Sequence, residues 1–238
     1  MDVIVGAASS GVSMTVIDKI LGAGVVMYSP ANTSTDFDNG KYAEPDLYFR
    51  TAPSDILQGA VVANLLNQEG RKNVALLSRQ DAYGETLVEE ITKGLEDGGS
   101  KVAATVYYGE KATNYDSQVA EVADAKPDAI VLIAFEETTS IIPKLVESGA
   151  GPKDVPTYFV DGNTSDFSAD LPAGAIEGSK GTIPGANPAD DFKERLQGVA
   201  PEELTDFSYA AESYDATILA ALAAIKGGAN DGQTIADN

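Results

Sequence analysis

The chain has 238 residues, of which 43% are hydrophobic and 22% are charged, enough for one large domain or two small α/β lobes with a buried core. Its formal net charge of −21 argues against a nucleic-acid-binding surface, because such a surface needs clustered Lys and Arg. It contains no Cys and no His, which excludes zinc sites built on thiolate or imidazole and catalysis by Ser-His-Asp or Cys-His groups.

The predicted elements follow one another as short apolar strands and amphipathic helices. Most strand candidates are continuous apolar runs, which are typical of parallel strands covered on both faces. Repeated strand–helix units of this kind predict parallel sheets with right-handed crossovers. The predicted strands lie at 3–5, 25–28, 74–77, 102–107, 129–133 and 157–160.

The helices between these strands are predicted from apolar stripes that recur every three or four residues. Pro143 interrupts the helix that follows Phe135, which predicts a kink or a late start there. The stripe of the first helix is Val12, Val16, Ile17, Ile20 and Leu21, that of the second is Ile56, Leu57, Ala60, Val61 and Leu65, and that of the third is Leu87, Val88, Ile91 and Leu95.

After Asp161 the pattern changes to a segment rich in Gly, Pro, Ser and Asp. A weak strand is predicted at 180–183, and two helices are predicted at 189–196 and 207–225. The tail 227–238 is rich in Gly, Asn and Asp, and we expect it to be frayed.

Two loops that follow predicted strands carry small and hydroxyl-bearing residues, at the strand ends where open α/β sheets bind ligands. In Gly6-Ala7-Ala8-Ser9-Ser10-Gly11, free N–H groups at a helix start favour an anion, and Ser9 or Ser10 can add a hydroxyl donor. An equal alternative is that a serine only caps the helix. The loop 29–35 offers amides and hydroxyls without a titrating group, so it suits a carboxylate or is a polar surface loop.

Three further candidates follow other predicted strands. Tyr83 opens a helix after the strand at 74–77, and Phe135 directly follows the strand at 129–133. Either aromatic residue contacts a ligand or packs in the core, the latter being the commoner case. Asp161 ends the last strand and either pairs with a ligand ammonium or begins a turn. No second carboxylate is clustered with it in sequence, so a metal site is not predicted.

At these residues the chain resembles the branched-chain amino-acid-binding (leucine/isoleucine/valine-binding) family of type I periplasmic binding proteins, which serve ABC transporters. The resemblance extends in order from Val3 to about Ile225. It rests on Gly6-Ala7-Ala8-Ser9-Ser10, Ser29-Pro30-Ala31-Asn32-Thr33, Phe49-Arg50-Thr51 with Asp55 and Gln58-Gly59, Ala82-Tyr83-Gly84-Glu85, and Asp161-Gly162.

The resemblance implies a role for each of nine residues. Family members often have Glu at the position of Asp161, Tyr at that of Phe135 and a different small residue at Ser9, so the size and polarity of the ligand are left open. Ser10 and the Thr33 amide would bind a carboxylate, with Ser9 beside them; the Ala31 carbonyl, the Thr33 hydroxyl and Asp161 would hold an ammonium; Tyr83, Phe135 and Tyr209 would form walls; and Asp55 would lie near the crossing between lobes.

The resemblance also implies an α/β fold of two Rossmann-like lobes with parallel sheets flanked by helices. Lobe 1 would comprise 1–51 and 184–238, and lobe 2 would comprise 52–183. Family members have further strand–helix units before Val3 and after Ile225. We therefore expect the chain to be shortened at both ends, with lobe 1 incomplete.

The function implied is capture of a small amino-acid-like ligand, branched-chain or aliphatic, between the two lobes, without catalysis, cofactor, metal or nucleic acid. Permease subunits of the transporter would be the protein partners. The protein would be extracytoplasmic, in the periplasm or as a cell-surface lipoprotein, its signal segment lying outside this sequence. Two alternatives remain open: a ligand-sensing receptor or regulatory domain for an amide, aromatic acid or other small solute, and a hydrolase using Ser–Lys or carboxylate chemistry.

Overall fold

Two separate parallel sheets form from the alternating strands and helices in a computed structural model, which describes residues 2–42, 46–185 and 187–238. The chain divides into unit 1, Met1–Ser54 with Pro184–Asn238, and unit 2, Asp55–Ile183. The mixed α/β architecture with parallel sheets and flanking helices is confirmed. The predicted lobe boundaries, 51/52 and 183/184, stay a proposal about functional lobes.

The helices and strands have the following bounds in chain order. They are β1 (Val3–Val5), α1 (Ser10–Gly22), β2 (Val26–Ser29), β3 (Tyr48–Arg50), α2 (Asp55–Gln68), β4 (Asn73–Gln80), α3 (Ala82–Asp97), β5 (Lys101–Gly109), α4 (Asp116–Asp124), β6 (Ala129–Ile133), α5 (Thr138–Glu147), β7 (Thr157–Phe159), β8 (Lys180–Gly181), α6 (Asp190–Gln197), α7 (Ala210–Gly227) and α8 (Gly232–Ala236), with 3₁₀ turns at Thr35–Phe37 and Asp161–Asn163.

Unit 1 contains a three-stranded parallel sheet in the order β1-β2-β3. The short strand β3 was not predicted. The helices α7 and α8 come from the second chain segment of the unit and contact this sheet, α7 at β1 and β2 and α8 at β2. Ile17 of α1, Val26 and Met27 of β2 and Ile235 of α8 are buried together, so the two segments share one core.

Unit 2 contains a five-stranded parallel sheet in the order β5-β4-β6-β7-β8. Alternate residues of β4 and β6 enter opposite cores, because successive side chains of a strand point to opposite faces. Leu76 and Val131 pack with α2 and α3 on one face, and Leu77 and Leu132 pack with α4 and α5 on the other. Because β4, β6 and β7 pair in parallel, their carboxyl ends lie side by side at one edge of the sheet.

The predicted apolar stripe of α2 is wrong as a core face. Ile56, Leu57 and Val61 are exposed by 53%, 59% and 47%, whereas the opposite face is buried. The cause is close packing against α3: a Cβ on Gly59 would lie 2.5 Å from Cβ of Glu90. Gly59 permits that approach, so the face of α2 that contains Gly59, Val62 and Leu66 is the one buried against α3.

The stripe of α1 is only partly buried, and the third predicted stripe is correct. Ile17 and Leu21 of α1 are buried, but Val12 and Val16 are exposed by 53% and 37%. In α3, the residues Leu87, Val88, Ile91 and Leu95 are all buried.

Two other expectations meet different outcomes. The helix after Phe135 begins late, at Thr138, and runs through Pro143. The frayed tail was wrong, because α8 forms there with Asp231 as its N-cap and with Ile235 only 6% exposed. No helix in the described part of the chain is long and apolar enough to cross a membrane.

Candidate functional site

In unit 1, Ser10 joins the two loops that were predicted to hold a carboxylate. It is the first residue of α1 and is 2% exposed. Its Oγ accepts the backbone N–H groups of Thr33 at 3.2 Å and Ser34 at 3.3 Å. The Thr33 amide, expected to bind a carboxylate, is thus directed at Ser10 here. The loops after β1 and β2 form one hydrogen-bonded surface.

Asn32 is a second link between these loops and was not among the predicted site residues. Its side chain is completely buried. The amide nitrogen Nδ2 donates to the carbonyl oxygens of Ala7 at 3.1 Å and Ala8 at 2.9 Å, and Oδ1 accepts the Tyr48 hydroxyl at 3.0 Å. One amide thereby fixes the first loop, the second loop and β3 together.

Arg50, at the end of β3, fixes the second loop from its other side. Its Nη1 donates to the carbonyl oxygens of Asn32 at 3.2 Å and Ser34 at 2.9 Å, and its Nη2 pairs with Asp38. Within 2–42, 46–185 and 187–238, the hydroxyl oxygen of Thr33 is buried without a hydrogen-bond partner. The loop is therefore rigidly held and contains one buried polar oxygen whose hydrogen-bonding capacity is unused.

The remaining predicted residues of unit 1 have distinct settings. Ser9 is the N-cap of α1 and accepts the Val12 N–H at 3.4 Å, which fits the capping alternative. Ala31 is half-buried, and its N–H donates to Ser29 Oγ at 3.2 Å. Tyr209 is half-buried and precedes α7 in the left-handed conformation, with φ of 59°. For a bulky residue this conformation is strained, as is common at functional sites.

In unit 2, Asp161 follows β7 and is held by two donors. Its Oδ1 accepts the Gln58 amide at 2.9 Å and the Tyr83 hydroxyl at 2.5 Å. Tyr83 is buried, and its oxygen also accepts the Gly162 N–H at 3.2 Å. Burial first, and then the charges of Asp161 and Asp55, raise the pKa of the Tyr83 phenol. The phenol therefore stays protonated and donates to Asp161.

Phe135 lies against Tyr83 and is the more exposed of these two aromatic residues. Its ring stacks on Tyr83 with centroids 5.2 Å apart and an interplanar angle of 19°. A Cβ at position 162 would lie 2.7 Å from the Phe135 ring, so Gly162 is required for this packing. Tyr83 therefore contacts both Phe135 and Asp161, and its role as a wall of the pocket stays a prediction.

The first turn of α2 adds polar groups that are buried near Asp161. Asp55 is completely buried, and its charge contributes to the raised pKa of Tyr83. Gln58 is 3% exposed, and its Oε1 has no hydrogen-bond partner among the residues that the structure describes. Gln58 was not among the predicted site residues, although its spacing of three from Asp55 places both residues on one helix face.

The structure brings the predicted residues together in two sets, one in each unit. Ser9, Ser10, Ala31 and Thr33 share the loops of unit 1, and Tyr83, Phe135 and Asp161 are in mutual contact or adjacent in unit 2. Across the described ranges, no group of three or more acidic residues could hold a metal ion. The second set offers a fixed carboxylate beside an aromatic ring, and the first offers buried hydroxyls and amides.

Comparison with known proteins identifies a family and a relative of this chain. The family model described as "Periplasmic binding protein" matches residues 1–238. A leucine-, isoleucine-, valine-, threonine- and alanine-binding protein of Pseudomonas aeruginosa is 32% identical over 114 residues, which is 48% of this chain and 29% of that protein. The match thus spans less than a third of that relative's length.

Solved structures show the same fold. A leucine-binding protein from Thermotoga maritima superposes with a TM-score of 0.80 at 21% identity, over 99% of this chain and 67% of that one. A solute-binding protein of an ABC transporter from R. palustris, in complex with 4-hydroxybenzoate, has a TM-score of 0.79 at 17% identity, over 98% and 64%. The chain belongs to the periplasmic binding protein family, with the type I fold and the resemblance to its branched-chain amino-acid-binding members confirmed.

Proposed function

We propose that this chain is the solute-binding part of an ABC transporter and captures a small aliphatic amino acid outside the cytoplasm. Permease subunits in the membrane would receive the ligand, and no chemical step would occur. The observation that carries the proposal is the carboxylate of Asp161, which Gln58 and Tyr83 orient through hydrogen bonds of 2.9 and 2.5 Å.

An oriented carboxylate suits a ligand that carries an ammonium group. Transferring a charged ligand out of water is costly unless each charge meets a partner, and charge-assisted hydrogen bonds are the strongest ones available. In unit 2, Asp161 would accept the ammonium. In unit 1, the Thr33 hydroxyl and the Ala31 carbonyl would be further hydrogen-bond acceptors for a ligand. The Ser10 hydroxyl, at the start of α1, would donate to the carboxylate of the ligand. Phe135 and Tyr209 would contact the aliphatic side chain.

An aromatic acid is the second candidate ligand, for transport or for sensing by a receptor of the same fold. Two observations favour it: the stacked Tyr83 and Phe135 rings, and the fold shared with the R. palustris protein that was solved with 4-hydroxybenzoate. Such a ligand has no ammonium group, so Asp161 would repel it unless the acid binds elsewhere. The charge of Asp161 therefore separates the two candidates.

The test is calorimetric titration of leucine, isoleucine, valine, benzoate and 4-hydroxybenzoate into the wild type and Asp161→Asn. Asp166→Asn is the matched control, because Asp166 is an exposed carboxylate close by in the chain. If an amino acid is the ligand, Asp161→Asn should weaken it at least about 30-fold, as expected for losing one partner of a buried charge pair. The control should bind as the wild type does.

Two results would contradict the amino-acid proposal. One is tight binding of an amino acid that Asp161→Asn leaves unchanged, which removes the ammonium role. The other is binding of an aromatic acid that becomes tighter in Asp161→Asn, which identifies repulsion by the carboxylate and establishes the second candidate. Breakdown of a bound ligand during the titration, followed by chromatography, would instead revive the hydrolase alternative.

A further inference from the structure

Arg79, at the carboxyl end of β4, contacts both segments that carry the aromatic pair. Its Nε lies 2.7 Å from Oδ2 of Asp81, and its Nη1 lies 2.5 Å from Oε1 of Glu137. Its guanidinium carbon is 4.6 Å from the centroid of the Phe135 ring, within the range of a cation–π contact. The side chain is 11% exposed, so these contacts are little screened by solvent.

Each of the two carboxylates uses its other oxygen to hold the backbone of one segment. Oδ1 of Asp81 accepts the Gly84 N–H at 2.9 Å and so caps α3, the helix on which Tyr83 lies. Oε2 of Glu137 accepts the Phe135 N–H at 2.8 Å. A continuous chain of hydrogen bonds therefore runs from the start of α3 through Arg79 to Phe135, two residues after the end of β6.

The chemistry of this position suits arginine and not lysine. A guanidinium is planar, keeps its charge, binds two carboxylates along different edges and stacks on an aromatic face at the same time. A lysine ammonium is a compact charge that offers no flat surface to Phe135. The buried carboxylate of Asp81 and the half-buried carboxylate of Glu137 repel each other without a cation, so loss of Arg79 would weaken the link between the two segments.

We propose that Arg79 is a positioning residue that fixes the Phe135 ring against Tyr83 and thereby sets which ligand side chains are accepted. The inference deepens the proposed function and rests on it for the ligand. Its structural half, the position of the Phe135 ring, is independent of any ligand. Arg79 itself touches no ligand in this proposal and acts through Phe135.

The experiment compares Arg79→Lys and Arg79→Gln with Arg71→Lys as the matched control. Arg71 also forms a hydrogen bond with a tyrosine in unit 2, because its Nε lies 3.3 Å from the Tyr158 hydroxyl. This bond involves neither Tyr83 nor Phe135. The first readout is the aromatic NMR spectrum of the ligand-free protein labelled at phenylalanine. The chain has seven Phe residues, so the Phe135 resonance can be assigned from the spectrum of Phe135→Leu.

In the wild type, ring-current shifts from Tyr83 should displace the Phe135 ring resonances, and both Arg79 variants should lose most of that displacement. The second readout is the ratio of the dissociation constants of leucine and phenylalanine. This ratio should change by about 5-fold or more in the Arg79 variants, the size of a cation–π contact, and by less than about 2-fold in Arg71→Lys. General destabilisation would weaken both ligands alike and leave the ratio unchanged.

An unchanged Phe135 resonance in folded Arg79→Gln would overturn the positioning role, whatever binds. A displaced resonance with an unchanged affinity ratio would overturn the role in ligand selection. If the wild type binds no amino acid at all, the proposed function fails, and the resonance still decides whether Arg79 positions the ring. Circular dichroism of each variant establishes that it is folded before either readout is interpreted.

Discussion

The hydroxyl of Tyr83 and Oδ1 of Asp161 are 2.5 Å apart, and this hydrogen bond joins the first turn of α3 to the 3₁₀ turn that begins two residues after β7. A buried phenol with a raised pKa is a permanent donor at neutral pH, so this bond holds the carboxylate in one orientation. The hydroxyl oxygen of Tyr83 also accepts the Gly162 N–H. Tyr83 thus orients the carboxylate of Asp161 and holds the backbone of the residue that follows it.

Tyr83→Phe should destabilise the protein by about 1.5–3 kcal/mol, because it removes a hydrogen bond to a charged group and leaves the Gly162 N–H without its acceptor. Tyr108→Phe is the control, since it removes a phenol bond of 3.2 Å to the neutral carbonyl of Ile133. It should cost about 0.5–1.5 kcal/mol. Urea unfolding of both variants provides the comparison. Equal losses would show that the charge of Asp161 adds nothing to the Tyr83 bond.

Asn32→Asp should destabilise unit 1 by more than about 2 kcal/mol, because a carboxylate oxygen would face the carbonyl oxygens of Ala7 and Ala8 in place of the amide donor. The matched control is Asn64→Asp on the exposed side of α2, where Oδ1 only accepts from Gln68 at 3.3 Å. That substitution should change stability by no more than about 0.5 kcal/mol. Thermal unfolding of both would reveal the difference, and a neutral Asn32→Asp would contradict the proposed link between the loops.

Gly232→Ala should detach α8, because the new Cβ would lie 2.1 Å from the carbonyl oxygen of Gly24. Overpacking of this kind costs about 1–3 kcal/mol. Gly22→Ala is the control: it lies at the end of α1 with no atom within 4 Å of the new Cβ, and should stabilise by about 0.4–1 kcal/mol. Hydrogen exchange of 231–238 should accelerate only in Gly232→Ala. Unchanged exchange there would mean that α8 does not depend on this contact.

Stability should fall in acid through Glu69. Hydrogen bonds from Lys180 and then Tyr158 lower the pKa of this carboxyl below its ordinary value of about 4.3. A group whose pKa is lowered by folding stabilises the protein above its unfolded pKa, and that stabilisation disappears as the pH falls through the folded pKa. The difference in melting temperature between wild type and Glu69→Gln should therefore be largest near pH 7 and shrink below about pH 4.

Lys180→Met should reproduce part of this loss at pH 7, since Lys180 Nζ is 2.5 Å from Oε1 of Glu69. Melting curves between pH 3 and 7 for the three proteins check both statements. A constant difference between wild type and Glu69→Gln over that range would show that the ionised form is not what stabilises the contact.

The sequence predicted the strands well and the packing of the helices less well. Apolar runs such as 129–133 are buried on both faces, so hydrophobicity alone identifies them. In α2 the bulky stripe misled the prediction, because close packing with α3 depends on the absent side chain of Gly59. The hydrophobic pattern identifies a helix face by its large apolar residues. It does not show that a glycine, which lacks a side chain, permits close contact with another helix.

The residues of the candidate site could also be predicted only in part from the sequence. The residues that follow strands, such as Asp161 and Phe135, could be identified because the carboxyl ends of parallel strands share one edge. The contact of Asp161 with Gln58 could not be predicted, since these two residues are 103 positions apart in sequence. The role of Arg79 could not be predicted either. In the sequence it is only a charged residue near the end of a strand, and its contact with Glu137 depends on the fold.

The division of the chain also orders its formation in time. Unit 2 is a single stretch, Asp55–Ile183, whereas unit 1 needs its first segment and the segment from Pro184 onward. Loop closure across the whole of unit 2 must precede the packing of α7 and α8 on β1 and β2, so this contact forms later than contacts within the first segment. Until it forms, the buried faces of β1 and β2 remain uncovered by their later partners. A substitution that exposes them longer would reduce yield through aggregation without altering the finished protein.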